Sequence, residues 1–401
     1  MRDHASDPFF AKMGEMYLGL EYGEVKMPPQ ESDVLPTEVT TESLFSRNVP
    51  LKIPVASAAM DNVTEDKMAI ALAKLGGIGV IHRNLSPRDQ AAHVREVKRH
   101  LNARIDNPET VRADDTVANA IALRKARRLP YRKFPVLNNE HKLVGVMTRD
   151  EFDFSDETER VADVMAPIRV TGCAKTTLEE AYALMRQHRV RILPLVNKRG
   201  KIVGMYVFSD VARTLNDPSS MFNVDKNGRL RVAAAIGPFD ADDRISMLPD
   251  DIDVVVIDTA HGDTASVRET LTRLKRTNVR FDIVVGNVSN GDAAMRLFDA
   301  GADGIKVGQG PGSICTTQVV SGAGRGQLTA VHDCSKRIRG HGVPVCADGG
   351  ISKSGHVVNA IGAGASCVML GNLIAGCDES PGDVVMMTGN PMERYRGMDS
   401  Q

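Results

Sequence analysis

The chain contains no tryptophan, few aromatic residues (4%) and six cysteines, none of which forms a Cys-x-x-Cys pair. Such a small aromatic content argues against a platform on which nucleic-acid bases would stack. The cysteine spacing matches no metal-ligand pattern and no disulfide framework. We therefore expect a cytoplasmic protein in a reducing compartment, in which most thiols act as small buried apolar groups.

Neither sign of charge dominates, because the formal net charge is −1 over 401 residues. An overall basic field for nucleic acid is therefore absent. Residues 1–20 mix charged with apolar residues and lack the apolar core of a signal peptide. The long uncharged stretch at 357–377 is interrupted by several glycines and two asparagines. We interpret it as a buried helix, a tight turn and a buried strand, and not as a membrane span.

Short apolar runs rich in β-branched residues recur along the chain, and amphipathic stretches separate several of them. The predicted strands are 53–57, 78–82, 232–236, 253–257, 283–285, 304–307, 343–346 and 367–370. The predicted helices include 66–75, 264–276, 291–300 and 355–362. Alternation of this kind favours a parallel sheet, and eight strands favour an α/β protein of the (β/α)8 TIM-barrel class. A doubly wound open sheet is the alternative that the pattern leaves open.

The alternation is interrupted between the second and third predicted strands by an insert, which contains an internal repeat. Phe134-Pro-Val-Leu-Asn is repeated as Leu193-Pro-Leu-Val-Asn, and 59 residues separate Pro135 from Pro194. A period of this size indicates a duplicated supersecondary unit, in which two copies bury their apolar faces against each other. We therefore predict a barrel in two parts, 1–97 and 219–401, and a small inserted domain at 98–218.

The insert resembles a pair of CBS domains (a Bateman domain). That resemblance implies a regulatory domain that binds an adenine or guanine nucleotide between the repeats. It also implies that Asp150 and Asp210 hold the ribose, because they follow the second strand of each repeat. The alternative is that both aspartates simply cap the helices that follow them.

A glycine-rich loop directly follows the predicted strand 304–307 and leads into Cys315. In a barrel, the loop after a strand lies on the catalytic face. Glycines let the backbone approach a ligand closely, and a thiol flanked by hydroxyl residues can attack an electrophilic carbon. The alternative is a structural turn that contains a buried thiol.

The glycine-rich loop is one of nine motifs that follow one another along nearly the whole chain: Ser57-Ala-Ala-Met60-Asp61, Gly76-Gly-Ile-Gly-Val-Ile-His82-Arg83-Asn84, Asp258-Thr-Ala-His-Gly262, Gly286-Asn287, Gly310-Pro-Gly-Ser-Ile-Cys315-Thr-Thr317, Asp348-Gly-Gly350, Gly371-Asn372, Glu379-Ser-Pro-Gly382 and Tyr395-Arg-Gly-Met398. With these motifs in this order, the chain resembles the IMP dehydrogenase / GMP reductase family. This resemblance implies that Cys315 attacks C2 of a purine nucleotide and forms a covalent thioimidate. Thr317 would help to move a proton during hydrolysis.

The resemblance also implies three further sets of residues. The nucleotide substrate would be bound by Met60, Ser313, Asp348, Gly349, Gly350, Gly371, Asn372, Tyr395, Gly397 and Met398. NAD would be bound by Asp258, Asn287, Gly308 and Glu379. A monovalent cation, potassium, would be held by the carbonyl groups of Gly310, Gly312 and Cys315.

Several of these residues have simpler interpretations. Asp258 could cap a helix, and Asp348 with its two glycines could form an ordinary turn. Glu379 could be a solvated loop charge, and Met60 and Met398 could fill the core.

Three features favour the dehydrogenase within the family: the spelling Asp258-Thr-Ala-His-Gly262, Arg83, and the arginine in Tyr395-Arg-Gly-Met398. The resemblance then implies oxidation of IMP to XMP in guanine nucleotide biosynthesis, by a homotetramer or octamer. The alternatives are reduction of GMP to IMP and ammonia with NADPH, or a truncated nucleotide-binding homologue with little turnover. Family members continue beyond this motif with a hydrolytic flap and the last barrel helix, and we expect both to be missing from this chain, which ends at Gln401.

Overall fold

The structure is a computed structural model, and it describes residues 19–101, 104–106, 108–127, 133–216, 220–312, 317–382, 384–387 and 390–393. The chain divides into two compact units. Unit 1 comprises Met1–Lys98 and Ser219–Gln401, and unit 2 comprises Arg99–Pro218.

The elements alternate along unit 1 as the sequence pattern predicts. Before unit 2 they are β1 (Ser43–Ser46), β2 (Val49–Leu51), β3 (Val55–Ser57), α1 (Asp66–Lys74), β4 (Ile78–Ile81) and α2 (Pro87–Arg99). Unit 2 contains β5 (Arg104–Ile105), β6 (Val111–Arg112), α3 (Val117–Arg127), β7 (Phe134–Leu137), β8 (Leu143–Met147), α4 (Arg149–Asp153), α5 (Val161–Val164), α6 (Leu178–His188), β9 (Ile192–Val196), β10 (Ile202–Val207) and α7 (Phe208–Asn216). Unit 1 then resumes with β11 (Val232–Ile236), α8 (Ala241–Met247), β12 (Val254–Asp258), α9 (Ala265–Arg276), β13 (Asp282–Val288), α10 (Gly291–Asp299), β14 (Gly304–Val307), α11 (Thr317–Ser321), α12 (Gln327–Arg337), β15 (Val345–Asp348), α13 (Ser354–Gly362), β16 (Cys367–Leu370), β17 (Val384–Met387) and β18 (Asn390–Glu393).

Eight parallel strands close into a barrel in the order β3, β4, β11, β12, β13, β14, β15 and β16, and β16 pairs with β3. Every predicted strand lies in this barrel, so the (β/α)8 prediction is confirmed and the open-sheet alternative is wrong. The bounds shift by up to three residues. The largest consequence is that the seventh strand extends to Asp348, which places this carboxylate at the end of the strand.

The hairpin of β1 and β2 closes one end of the barrel. Phe45, Val49 and Leu51 are buried in the same apolar cluster as the inward side chains of the barrel strands. The Asp282 carboxylate, at the first residue of β13, accepts hydrogen bonds from Ser46 Oγ (2.7 Å) and from the backbone N–H of Asn48 (2.8 Å). The hairpin therefore covers the amino-terminal end of the strands, which leaves the carboxyl-terminal end for a site.

The uncharged stretch at 357–377 folds as predicted, into part of α13, a turn and β16. Val357 to Gly362 belong to the helix, and Cys367–Leu370 is a buried strand of the barrel. In the part of the chain that the structure describes, no helix has the length and apolar character needed to cross a membrane.

Unit 2 contains two three-stranded sheets, β5-β10-β9 and β6-β7-β8. The sequence repeat corresponds to their hairpins, and the two turns are closed in the same way. The side-chain oxygen of Asn138 accepts from the backbone N–H groups of Glu140 and Lys142, at 3.0 Å each. The side-chain oxygen of Asn197 accepts equivalently from Arg199 (2.9 Å) and Lys201 (3.1 Å).

The capping interpretation is wrong for Asp150. Thr148 is the N-cap residue of α4, and Asp150 is the second residue of that helix. Asp210 is the third residue of α7. Both carboxylates therefore lie in the first turn of a helix, where the helix dipole favours negative charge.

Candidate active site

Four neighbouring barrel strands carry polar side chains at their carboxyl-terminal ends. Asp258 is the last residue of β12, and Asp348 is the last residue of β15. Between these two strands, Asn287 lies near the end of β13 and Lys306 near the end of β14. Because parallel strands bring these ends to one edge of the barrel, residues distant in sequence meet there.

The Lys306 ammonium group connects the other three side chains. Its Nζ lies 2.7 Å from Asp258 Oδ1 and 2.6 Å from Asp348 Oδ2, and it also donates to Asn287 Oδ1. The amide nitrogen of Asn287 donates to Asp348 Oδ2 (3.0 Å) and to the carbonyl oxygen of Gly308 (2.6 Å). We call these residues, Asp258, Asn287, Lys306 and Asp348, the strand-end cluster.

Lys306 is buried, whereas its two carboxylate partners reach the surface of the site. The exposed fraction of the Lys306 side chain is 3%, against 26% for Asp258 and 19% for Asp348. Burial by itself would lower the pKa of Lys306, but the charges of Asp258 and Asp348 outweigh burial and raise that pKa well above its ordinary value. The ammonium group therefore stays protonated, and the cluster carries one excess negative charge when both carboxylates are ionised.

The glycine-rich loop after β14 packs closely on the end of β15. A Cβ atom at Gly308 would lie 2.0 Å from the backbone oxygen of Asp348, so no larger residue fits there without a shift of backbone. Gln327 Nε2 donates to the carbonyl oxygens of both Val307 and Asp348, at 2.9 Å each. The start of this loop is thus held against Asp348 by backbone contact and by one buried side chain.

Gln309 connects the same loop to the loop after β12. Its Nε2 atom lies 2.8 Å from His261 Nδ1 and 3.2 Å from the carbonyl oxygen of Ala260, to which it donates. Its Oε1 atom accepts from Ser289 Oγ at 2.6 Å. The loops that begin at Asp258 and at Gly308 are therefore linked through one amide side chain.

Gly349 and Gly350 both adopt left-handed conformations, with φ of 91° and 75°. A Cβ atom at Gly349 would lie 2.9 Å from Pro311 Cγ, and one at Gly350 would lie 3.5 Å from Pro311 Cβ. The turn after Asp348 therefore lies directly against the glycine-rich loop, close to Gly312. Gly310 also has a positive φ, 83°.

The remaining predicted residues that the structure describes lie in loops at the same end of the barrel. Met60 follows β3 and is partly buried against the barrel core. Gly371 and Asn372 directly follow β16, and Asn372 is exposed. Glu379 is exposed in the turn before Ser380, whose hydroxyl donates to the carbonyl oxygen of Ile374 at 2.6 Å.

The predicted nucleophile lies outside the described residues. That nucleophile is Cys315. Four predicted substrate residues also lie outside the described residues, namely Ser313, Tyr395, Gly397 and Met398. Thr317 is the first residue of α11, but its side chain is not among those described. Their roles therefore stay predictions.

Lys306 and Gln309 were missed by the sequence reasoning. Lys306 is the single charged residue in the four-residue strand Gly304–Val307, whose residues are all buried. A lysine in a buried strand needs an anionic partner, which was the available signal. Gln309 offered none, because its partners belong to loops of other strands.

A second charged group lies near the ends of β3 and β4. His93 Nδ1 is 2.8 Å from Asp66 Oδ1, and His93 Nε2 is 3.7 Å from Glu65 Oε2. The hydrogen bond to Asp66 raises the pKa of His93 against the opposing effect of burial. These three side chains come close enough together to hold a metal ion, and His93 contacts both carboxylates directly.

A model of the IMP dehydrogenase / GMP reductase domain matches residues 19–401. The chain belongs to the IMP dehydrogenase / GMP reductase family. It is 44% identical to inosine-5'-monophosphate dehydrogenase of Bifidobacterium longum, over 98% of this chain and 72% of that protein. It is 41% identical to the enzyme of the same name from Aquifex aeolicus, over 95% of this chain and 78% of that protein.

Solved structures of family members are similar to this fold as well. A GMP reductase variant from Trypanosoma brucei in complex with guanosine 5'-monophosphate matches with a TM-score of 0.82 and 40% identity, over 96% of this chain and 83% of its own. GMP reductase from the same organism in complex with guanosine 5'-triphosphate matches with a TM-score of 0.79 and 40% identity, over 92% of this chain and 90% of its own. Membership of the family makes this chain an oxidoreductase of the (β/α)8 type.

Proposed function

We propose that the chain is an IMP dehydrogenase, which converts IMP, NAD and water to XMP and NADH. The observation that supports this most directly is the strand-end cluster. It presents two partly exposed carboxylates, Asp258 and Asp348, on either side of one buried ammonium group. A carboxylate is a suitable acceptor for the paired hydroxyls of a ribose. Two adjacent acceptors suit a reaction between a nucleotide and a dinucleotide cofactor.

In this proposal Asp348 accepts the ribose hydroxyls of IMP, and Met60 and Met398 contact the base. The 5'-phosphate is bound by N–H and hydroxyl groups of the loops that contain Ser313, Gly349, Gly350, Gly371, Asn372, Tyr395 and Gly397. Glycines let the backbone come close to a phosphate, and backbone N–H groups in fixed positions donate hydrogen bonds to it.

Asp258 accepts the nicotinamide ribose, with Asn287, Gly308 and Glu379 nearby. Asp258 fits this role because only its Oδ1 is bound to Lys306, while the side chain remains partly exposed. The nicotinamide ring, when bound, accepts a hydride from C2 of the purine.

Cys315 supplies the covalent step. Its thiolate sulfur forms a bond to C2, and the C2 hydride leaves with its electron pair, so a thioimidate remains on the protein. Water then adds to C2 with the help of Thr317, the C2–S bond breaks, and XMP is released with the thiol restored. Carbonyl groups of Gly310, Gly312 and Cys315 would hold a potassium ion in this loop.

GMP reduction is the second candidate, because solved structures similar to this fold include GMP reductases. The two reactions are separated by following absorbance at the nicotinamide band with IMP and NAD, and in parallel with GMP and NADPH. Appearance of NADH, abolished in Cys315→Ala, supports the dehydrogenase. Consumption of NADPH with release of ammonia selects the reductase. Absence of both, in a chain that still binds IMP, would leave a nucleotide-binding homologue.

We propose that unit 2 is a CBS pair that binds a purine nucleotide. Its duplicated hairpins, each followed by a helix with an aspartate in the first turn, support this. Lys133 is half buried; burial lowers its pKa, while the nearby Asp210 opposes that effect. A rise in melting temperature with ATP or GTP, lost in Asp210→Ala, is expected. We also propose a tetramer or octamer, which size-exclusion chromatography with light scattering can test.

A further inference from the structure

We propose that Lys306 is the positioning residue that couples the two ribose-binding carboxylates, so that the nucleotide and cofactor subsites depend on one ammonium group. The inference rests on the proposed function, which assigns Asp348 to the nucleotide and Asp258 to the cofactor. Each carboxylate gives one oxygen to Lys306, namely Oδ2 of Asp348 and Oδ1 of Asp258. Among the described residues, the other oxygen of each has no protein partner and remains for a ribose.

Lys306 is more deeply buried than either of its carboxylate partners. It lies within β14, which pairs with β13 on one side and β15 on the other, and its side chain is 3% exposed. Removal of one partner of a buried ion pair leaves the other partner's charge uncompensated, which is strongly unfavourable. Without it, Asp258 and Asp348 would lie side by side as uncompensated like charges, which disfavours ionisation of both.

The same ammonium group also orients Asn287. Because Asn287 Oδ1 accepts from Lys306, its amide nitrogen is directed to Asp348 Oδ2 and to the carbonyl oxygen of Gly308. Gly308 begins the loop that leads to Cys315. Loss of the charge at Lys306 therefore disturbs both carboxylates and the first residue of that loop.

Lys98 provides a matched control at the opposite end of the barrel. It is also 3% exposed, and its Nζ bridges Asp225 Oδ2 (3.0 Å) and Asp253 Oδ2 (2.6 Å). Asp253 precedes the same strand that Asp258 ends. Both lysines therefore perform the same structural task, but only Lys306 lies at the site.

The experiment compares Lys306→Met, Lys306→Arg and Lys98→Met in the full chain. Both methionine variants are expected to lower the melting temperature. Only Lys306→Met is expected to lower kcat/KM for IMP and for NAD together, on the order of 100-fold, because a small misplacement of binding groups has such effects. Lys306→Arg should recover part of the loss, since it keeps the charge but replaces the compact ammonium group with a larger, planar one.

The pH dependence gives a readout that a purely structural role would not change. In Lys306→Met, one of the two uncompensated carboxylates ionises only at higher pH, so the acid limb of kcat/KM should move upward in pH. That limb should not move in Lys98→Met. Equal kinetic losses in the two methionine variants, or a loss confined to one substrate, would overturn the proposal.

A double variant keeps the test decisive if Lys306→Met does not fold. Lys306→Met combined with Asp258→Asn removes the repulsion, so the KM for IMP should recover while that for NAD does not. Recovery of neither would count against the proposal. If the wild-type chain turns over neither IMP with NAD nor GMP with NADPH, the proposed function is refuted, but the positioning role of Lys306 is not. The IMP- or GMP-induced rise in melting temperature, compared between wild type and Lys306→Met, then still tests the positioning role, and equal rises would refute it.

Discussion

Gly308 shows how a single missing side chain shapes the site. A Cβ atom there would meet the backbone oxygen of Asp348 at 2.0 Å, so Gly308→Ala must displace one of two backbone segments. We expect kcat/KM to fall on the order of 100-fold. Gly340→Ala is the control, because Gly340 is also left-handed but has nothing within 4 Å of its Cβ position. Equal kinetics of the two variants would contradict the close-contact argument.

His93 makes the stability of the barrel depend on pH. Its folded-state pKa is raised, first by the hydrogen bond to Asp66, and the pKa of Asp66 is lowered by the same contact against burial. The His93 contribution is fully present below its unfolded pKa of about 6.5 and is lost as pH rises through the folded value. The Asp66 contribution is present above about 3.8 and is lost as pH falls.

The stability difference between wild type and His93→Gln should therefore be largest near pH 5 and should shrink toward pH 8.5. Urea unfolding at those two pH values and at pH 7 measures it. His332→Gln is a useful comparison, since burial lowers the pKa of that histidine. The stability difference between wild type and His332→Gln should therefore change with pH in the opposite sense. The same trend with pH in both variants would refute the raised pKa of His93.

At the scale of elements, the barrel strands were predictable and the hairpin before them was not. Buried runs rich in β-branched residues, such as Val254–Asp258 and Asp282–Val288, predict strands because both faces of a barrel strand are covered. Strands β1 and β2 are four and three residues long, too short for any period to be recognised. Their position depends on Asp282, more than 230 residues away in sequence.

The hairpin gives a prediction that separates stability from activity. Asp282→Ala leaves the hydroxyl of Ser46 and the N–H of Asn48 without their acceptor, which costs about 1–3 kcal/mol of unfolding free energy. Phe45→Ala opens a cavity in the core and costs about 3–5 kcal/mol. Denaturant unfolding checks both values. Because this hairpin covers the amino-terminal end, KM values should stay unchanged, and altered KM values would show that the two ends are coupled.

In the whole molecule, the sequence indicates that the site lies at the carboxyl-terminal end of the barrel, but it does not indicate which residue connects the side chains of that site. Asp258, Asn287, Gly308 and Asp348 were each implied by the family resemblance of a separate motif, and the structure brings them together. Lys306 joins them through contacts that span 42 residues to Asp348 and 48 to Asp258. No local pattern encodes such contacts, because they follow from closure of the barrel.

The division into two units predicts that unit 1 can work alone. Each unit has its own apolar clusters, and the chain leaves the barrel next to where it returns, since Lys98 contacts Asp225. We therefore expect unit 1, with a short Gly/Ser linker in place of Arg99–Pro218, to fold and to keep basal turnover close to that of the full chain. Any effect of ATP or GTP on turnover should disappear, as it should in full-length Asp210→Ala.

Thermal unfolding and nucleotide titrations on these two variants check this. A folded unit 1 that has lost turnover would mean that unit 2 contributes to the site itself, whereas a nucleotide effect that survives the deletion would place the regulatory ligand on the barrel.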